Sequence, residues 1–150
     1  MLPPTDERVP RSTDEAVNRR IDRETRARIE YFAANPEEIP ERLRELEEEW
    51  DVERVLEANA AALAFTGTLA ALLGRRRWLL LPGFVTAFLF QHAVQGWCPP
   101  LPILRRLGFR TAREIERERN ALRALRGDFS PIERAQNRLA AVFYAFGFRR

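Results

Sequence analysis

Cys98 and His92 are the residues best suited to catalytic chemistry, and they are the only cysteine and the only histidine among 150 residues. Six residues of helix correspond to a rotation of about 600°, which leaves the two side chains about 240° apart. This spacing disfavours a direct Cys–His nucleophilic pair, and one residue of each type is too few for a metal site. With no other catalytic constellation visible, we predict a non-enzymatic protein with no metal and no cofactor.

Cys98 on its own allows two interpretations. The first is a reactive thiol, although the sequence shows no neighbouring cation or second thiol to activate it. The other interpretation is a small residue tolerated in a tight turn beside Pro99. Cys98 is therefore a candidate thiol, and both interpretations stay open.

Polar side chains occur near the end of an otherwise apolar run, at Gln91, His92 and Gln95. Polar groups within a membrane mark either a transport pathway or hydrogen bonds to neighbouring helices and interfacial water. Two helices enclose no pore, so a pathway would require an oligomer.

Two apolar runs position these residues. Residues 78–97 begin and end with tryptophan, and twenty helical residues cover about 30 Å, the thickness of a bilayer's hydrocarbon core. A second, alanine-rich run covers about 57–74. We predict an all-α fold with a transmembrane hairpin over 57–100. Its expected anchors at the membrane interfaces are Trp78, Trp97, Arg75, Arg76 and Arg77.

Small residues recur at helical spacing in both runs and allow two helices to approach closely. This pattern predicts a packing face within the hairpin and a homo-oligomer, unless alanine is simply frequent in the genome. The residues concerned are Ala60, Ala64, Gly67, Ala71, Gly83 and Ala87.

The flanks of the hairpin are charged and carry helix-start and helix-stop signals. Residues 1–11 contain three prolines and are expected to be disordered or extended. We predict a charged helical region over 12–56 and a basic helical region over 101–150. The expected caps are Ser12 with Glu15, Asp51, Thr111 with Glu114, Gly127, and Ser130 for a single last helix.

Charge divides unevenly between the flanks. Residues 1–56 carry sixteen acidic residues and ten arginines, whereas 101–150 carry five acidic residues and twelve arginines. The two regions either pair with each other, or the basic helices lie on anionic lipid headgroups. The last helix, with Leu139, Phe143 and Phe146 beside arginines, fits either an interfacial position or packing on the N-terminal helices. Nothing here resembles a nucleic-acid module.

Arginines near the ends of the runs predict the orientation. Eight lie within about twenty residues outside the hairpin, against three in the 75–77 link. The positive-inside rule then places both termini in the cytoplasm and the link outside. We predict a multi-pass protein of the bacterial cytoplasmic membrane.

A motif of the form G-x-C-P … L-G-x-x-T begins at the end of the second run and continues beyond it. Its residues are Gly96, Trp97, Cys98, Pro99, Leu107, Gly108 and Thr111. It resembles the motif of the YgaP-type inner-membrane domain, a two-span bacterial family that sometimes follows a rhodanese domain. The resemblance covers about residues 50–112, with Arg54 at the place of the basic residue before the first span. It implies a two-span hairpin, and the rhodanese association suggests sulfur chemistry. No rhodanese domain is expected in this chain.

Together these patterns predict a membrane anchor or interaction module that contacts the bilayer, anionic lipids and other copies of itself. The alternative function is an accessory role in sulfur handling or transport through Cys98. A soluble protein with two buried core helices is a third possibility, but 150 residues provide too few amphipathic helices to cover both runs.

Overall fold

The chain folds into helices joined by short turns. The computed structural model describes Pro4 and residues 7–145, except the side chains of 144 and 145, and every regular element within them is helical. The predicted all-α class is therefore confirmed. The α-helices are α1 (Arg8–Arg11), α2 (Glu15–Ala34), α3 (Ile39–Glu48), α4 (Val52–Leu72), α5 (Leu80–Gln95), α6 (Leu101–Arg106), α7 (Ala112–Arg126), α8 (Ser130–Arg134) and α9 (Arg138–Ala145).

Helices α4 and α5 pack along each other. The predicted cap of α4 is confirmed, because the Asp51 carboxylate accepts a 2.7 Å hydrogen bond from the Arg54 backbone N–H. At Gly67 the two helices approach so closely that a Cβ atom would lie 2.7 Å from Cδ of Pro82. Between them the chain reverses through Gly74, whose φ of 92° favours glycine, and through a 3-10 turn at Arg76–Leu79.

Away from this contact line the two helices are exposed. The segments that contain them are long and apolar enough to cross a membrane, yet only 17% and 6% of their most apolar windows are buried within the protein. Large aromatic side chains project outward, with Phe65 71% exposed and Phe90 72% exposed. Two candidate membrane spans are therefore present where the sequence predicted them.

Helices α2, α3 and α7 form a bundle at the open end of the α4–α5 pair. Helix α7 packs against α2 and α3. Their shared apolar core consists of Ile39, Leu43, Leu46, Ile115 and Leu122, with Phe32 packed against it. A second apolar core lies between α1, the base of α4 and α6, and we call it the junction core. It consists of Val9, Val52, Leu56, Cys98 and Leu101, with Leu104 and Phe109 packed against it.

Two predicted ends of α7 are confirmed. Thr111 and Glu114 form the capping box, and Gly127 ends the helix with a φ of 87°. The capping box predicted at Ser12 is wrong. Helix α2 begins instead where the Asp14 side chain accepts a hydrogen bond from the Ala16 backbone N–H, while the Ser12 hydroxyl donates to the Gln95 carbonyl at 3.4 Å.

Both ends of the chain differ from expectation. Residues 8–11 are helical rather than disordered or extended, because Val9 is buried in the junction core. The single last helix predicted after Ser130 is interrupted, and Ser130 does not cap it. Ala135 is extended, and the Asn137 side chain accepts a 3.0 Å hydrogen bond from the Ala140 N–H, which starts α9. Phe146, which we predicted to lie with Leu139 and Phe143 on the last helix, is outside the described residues.

Candidate functional site at the junction of hairpin and bundle

Cys98 lies in the junction core and is 3% exposed. Burial raises the pKa of the Cys98 thiol, and an interaction with the Leu101 backbone offsets part of that shift. Since the thiolate is the nucleophilic form, a buried thiol with a raised pKa is poorly suited to sulfur transfer. The geometry favours a packing role for this residue.

His92 lies in the last turn of α5 and is 4% exposed. Neither ring nitrogen has a hydrogen-bond partner among the described residues, so the structure forms no Cys98–His92 pair. Gln91 is half-buried and Gln95 is exposed. The three predicted polar residues therefore share one end of α5 but have different environments.

Helix α1 docks on that end of α5. The Arg8 guanidinium donates a 2.8 Å hydrogen bond to the Ala93 carbonyl, and a Cβ atom at Gly96 would lie 2.5 Å from the carbonyl carbon of Arg8. Gly96 also has a φ of 78°, in the left-handed region that favours glycine. Only glycine therefore satisfies both the helix end and the docking of α1. This contact was not predicted, because three prolines dominate the sequence pattern around Arg8.

The small-residue stripe divides between two faces of the hairpin. Gly67 is buried against α5, and Ala60, Ala64 and Ala71 are half-buried on the same side of α4. Gly83 and Ala87 are exposed, and a Cβ atom at Gly83 would meet no atom within 4 Å. The α4 stripe thus serves the contact between the two helices, whereas the α5 pair faces away from it.

The predicted interface anchors all lie at the surface. Trp78 is 39% exposed and Trp97 is 40% exposed, at opposite ends of the α5 segment. Arg75, Arg76 and Arg77 are exposed in the link.

A buried ion-pair cluster holds the bundle together. Glu118 of α7 is 0% exposed, and its carboxylate receives the guanidinium groups of Arg28 at 3.1 Å, of Arg42 at 2.9 Å, and of Arg110. Arg110 also pairs with Glu49 at 2.6 Å. The cluster thereby joins α2, the end of α3 and the start of α7 around a fully buried carboxylate, while Arg28 and Glu49 stay partly exposed.

The protonation of Glu118 is set by this surrounding charge. Burial alone would raise the pKa of the Glu118 carboxyl, but hydrogen bonds from Arg42 and Arg28 and the charge of Arg110 hold it below its ordinary value. The carboxylate therefore stays ionised inside the bundle. Removing the Glu118 carboxylate would leave Arg110 with Glu49 as its acidic partner and would leave the cluster with an excess of buried positive charge.

A second buried pair lies closer to the hairpin. The Arg105 guanidinium, 0% exposed, binds both oxygens of Glu114 at 2.7 and 2.8 Å and also donates to Asn18 Oδ1 at 3.0 Å. Burial would raise the pKa of Glu114, but the bonds from Arg105 and the Thr111 backbone lower it. Arg105 thus fixes α6 to both α2 and α7.

These pairs show that the acidic and basic flanks bind each other, one of the two arrangements left open by the sequence. The ion pairs that cross between the flanks include Arg110 with Glu49, Arg117 with Asp22, and Glu118 with Arg28 and Arg42. Within the described part of the chain, no group of three or more His, Cys, Asp or Glu side chains is placed to hold a metal ion.

Comparison of the chain with models of known protein families, with curated proteins and with solved structures found no match.

Proposed function

We propose that this protein is a two-span membrane anchor of the bacterial cytoplasmic membrane that holds a helical bundle at the cytoplasmic surface as an interaction module. In this proposal the hairpin of α4 and α5 crosses the bilayer. The bundle of α2, α3 and α7 recruits or positions a protein partner without catalysing a reaction.

The observation that carries the proposal is the exposure of the apolar helices. A core helix of a soluble protein has most of its apolar surface covered by other elements, whereas the two windows here are 17% and 6% buried. Exposed apolar surface of this extent needs lipid or a partner to cover it. The length of each segment and the tryptophans at both ends of the second favour lipid.

The bundle supports the predicted topology. Because α2 and α3 precede the hairpin and α7 follows it, their packing requires both flanks to lie on one side of the membrane. The arginine bias outside the hairpin favours the cytoplasmic side.

The junction gives the anchor a mechanical role. The Val52 backbone N–H donates a 2.8 Å hydrogen bond to the Arg110 carbonyl, and Arg110 belongs to the buried ion-pair cluster. The first turn of α4 is thereby fixed to the bundle. We propose that the bundle takes a defined orientation on the membrane instead of hanging from a flexible linker.

Sulfur handling through Cys98 is the weaker alternative, because the thiol is buried and its pKa is raised. The YgaP-type resemblance stays a prediction that rests on its motif residues. Self-association also stays a prediction, and the exposed Gly83 and Ala87 supply the face on which we base it.

The test is carbonate extraction of membranes, combined with reporter fusions at each terminus. The proposal requires the protein to stay in the membrane pellet and both reporters to register as cytoplasmic. Release into the supernatant would reject the anchor. Termini on opposite sides would reject the shared bundle, and two periplasmic termini would reject its cytoplasmic placement.

A further inference from the structure

Helix α6 has one buried face and one exposed apolar face. Leu101 and Arg105, one turn apart, are each 0% exposed. On the other side, Ile103 is 62% exposed and Leu107, directly after the helix, is 70% exposed. Pro99 and Pro100, which lead into the helix, are exposed as well. This apolar face has no cover within the described part of the protein.

The contacts of the buried side show which way the exposed face points. Arg105 binds Asn18 of α2 and Glu114 of α7, and the carbonyl of Arg106 accepts a 2.7 Å hydrogen bond from Arg20 of α2. The bundle therefore lies over one side of α6. The exposed face is turned away from the bundle and carries Ile103 and Leu107.

The level of α6 along the hairpin follows from the junction core. Leu101 packs there with Val52 and Leu56, in the first two turns of α4. The uncharged run of α4 begins at Ala58, so α6 lies about 3–9 Å from the start of that run at 1.5 Å per residue. The headgroup region extends roughly 5–8 Å beyond each side of the hydrocarbon core, so α6 lies at the level where interfacial helices bind.

We propose that α6 is a third membrane contact that inserts Ile103 and Leu107 into the cytoplasmic leaflet. The occupant of the face is lipid, because exposed apolar residues continue along the chain from Trp97, a residue type that prefers the interface, through Pro99 and Pro100 to Ile103. The exposed Arg106 side chain lies at headgroup level, where it binds lipid phosphate. This inference rests on the proposed function and adds a fixed tilt of the bundle against the bilayer.

The experiment uses the full chain with its single cysteine replaced, Cys98→Ala, in vesicles of phosphatidylethanolamine and phosphatidylglycerol. New cysteines at Ile103 and Leu107 are labelled with a nitroxide, and accessibility to oxygen is compared with accessibility to a water-soluble nickel complex. Leu125→Cys, an apolar site of similar exposure on α7, is the matched control. Phe88→Cys, in the second run, is the reference for lipid.

We expect the ratio of oxygen to nickel accessibility at the labelled Ile103 and Leu107 sites to exceed the ratio at the Leu125 control several-fold. It should approach the ratio at the Phe88 lipid reference. Ratios at 103 and 107 equal to that at 125, with 88 lipid-like, would overturn the contact and leave the two-span anchor intact. A water-like value at 88 would overturn both. Shielding of 103 and 107 from both reagents would show a protein partner on this face and also overturn the inference.

Because Cys98 is buried, Cys98→Ala could perturb the junction core, so the labelling is repeated with Cys98 retained. Its buried thiol reacts slowly, and the unmodified chain measures that background. The inference requires the accessibility ratios at Ile103 and Leu107 to agree between the Cys98→Ala chain and the chain that retains Cys98. Water-like ratios at both sites in both chains would reject it.

Discussion

The hairpin and the bundle are both helical, yet they distribute polar and apolar groups in opposite ways. In α4 and α5 the apolar side chains point outward and the closest packing uses Gly67. In the bundle the outer surface is charged, and the interior holds a carboxylate with three arginines. This contrast is expected if, as we propose, the hairpin faces lipid and the bundle faces water. Each part should therefore respond to a substitution that leaves the other unaffected.

The largest expected effect is the loss of the buried carboxylate. Glu118→Gln removes the negative charge that Arg28, Arg42 and Arg110 share, and uncompensated buried charge costs about 3–5 kcal/mol. Urea unfolding of the bundle in detergent, followed by circular dichroism, measures the change. Glu47→Gln on the exposed side of α3 is the control and should stay close to wild type. Equal stability of the two variants would contradict the buried cluster.

A charge in the hairpin is expected to have the next largest effect. Phe88→Arg places a cation near the centre of the second run, at a cost to membrane insertion of about 2.5–3.5 kcal/mol. The fraction of protein that resists carbonate extraction should fall. Leu125→Arg adds the same charge to the surface of the bundle and should leave that fraction unchanged. If Phe88→Arg also inserted normally, the outward aromatic surface would not be facing lipid.

Substitutions at two glycines distinguish the packing of α4 on α5 from the packing between copies of the chain. Gly67→Leu forces a side chain against Pro82 and should destabilise the hairpin by about 1–3 kcal/mol. Gly83→Leu meets open space, so the hairpin should keep its stability. If copies associate through the face of Gly83 and Ala87, crosslinking in membranes should lose the oligomer in Gly83→Leu. A wild type that crosslinks only as monomer would remove the oligomer from the account.

The smallest effect is a difference in pH dependence. The pKa values of Glu114 and Glu118 are lowered in the folded bundle, so below about pH 4.3, the ordinary glutamate pKa, the unfolded chain binds protons first. The stabilisation is complete above that pH and decreases as pH falls through the folded pKa values. Urea titrations across this range should show a steeper loss in wild type than in Glu118→Gln. Parallel curves would mean that Glu118 has the same pKa in both states.

The sequence predicted the parts of the fold that depend on local signals. Two uncharged runs give helices of membrane length, and the side chains of Asp51 and Thr111 satisfy the first N–H groups of α4 and α7. These features need only a few neighbouring residues, so a periodic pattern is sufficient to find them.

The buried charges depended on partners far along the chain and were missed. Glu118 lies three residues after Ile115 and four before Leu122, on the apolar seam of α7. That position was a usable signal, because a carboxylate within a buried seam requires cations from other helices. Its partners Arg28 and Arg42 lie about 90 and 76 positions away, and no local pattern connects them. The docking of α1 is another long-range contact of this kind.

Trypsin digestion of sealed inverted vesicles tests most directly whether the chain forms a two-span hairpin with the whole bundle on one side of the membrane. The chain has no lysine, so trypsin cuts only after arginine, and between Arg54 and Arg105 arginine occurs only at 75–77. We expect digestion of the bundle and a protected fragment that begins at Val55 and ends at Arg105 or Arg106. Detergent should then expose the link and split that fragment in two. Cleavage at 75–77 in intact inverted vesicles, or survival of the bundle there, would contradict the topology.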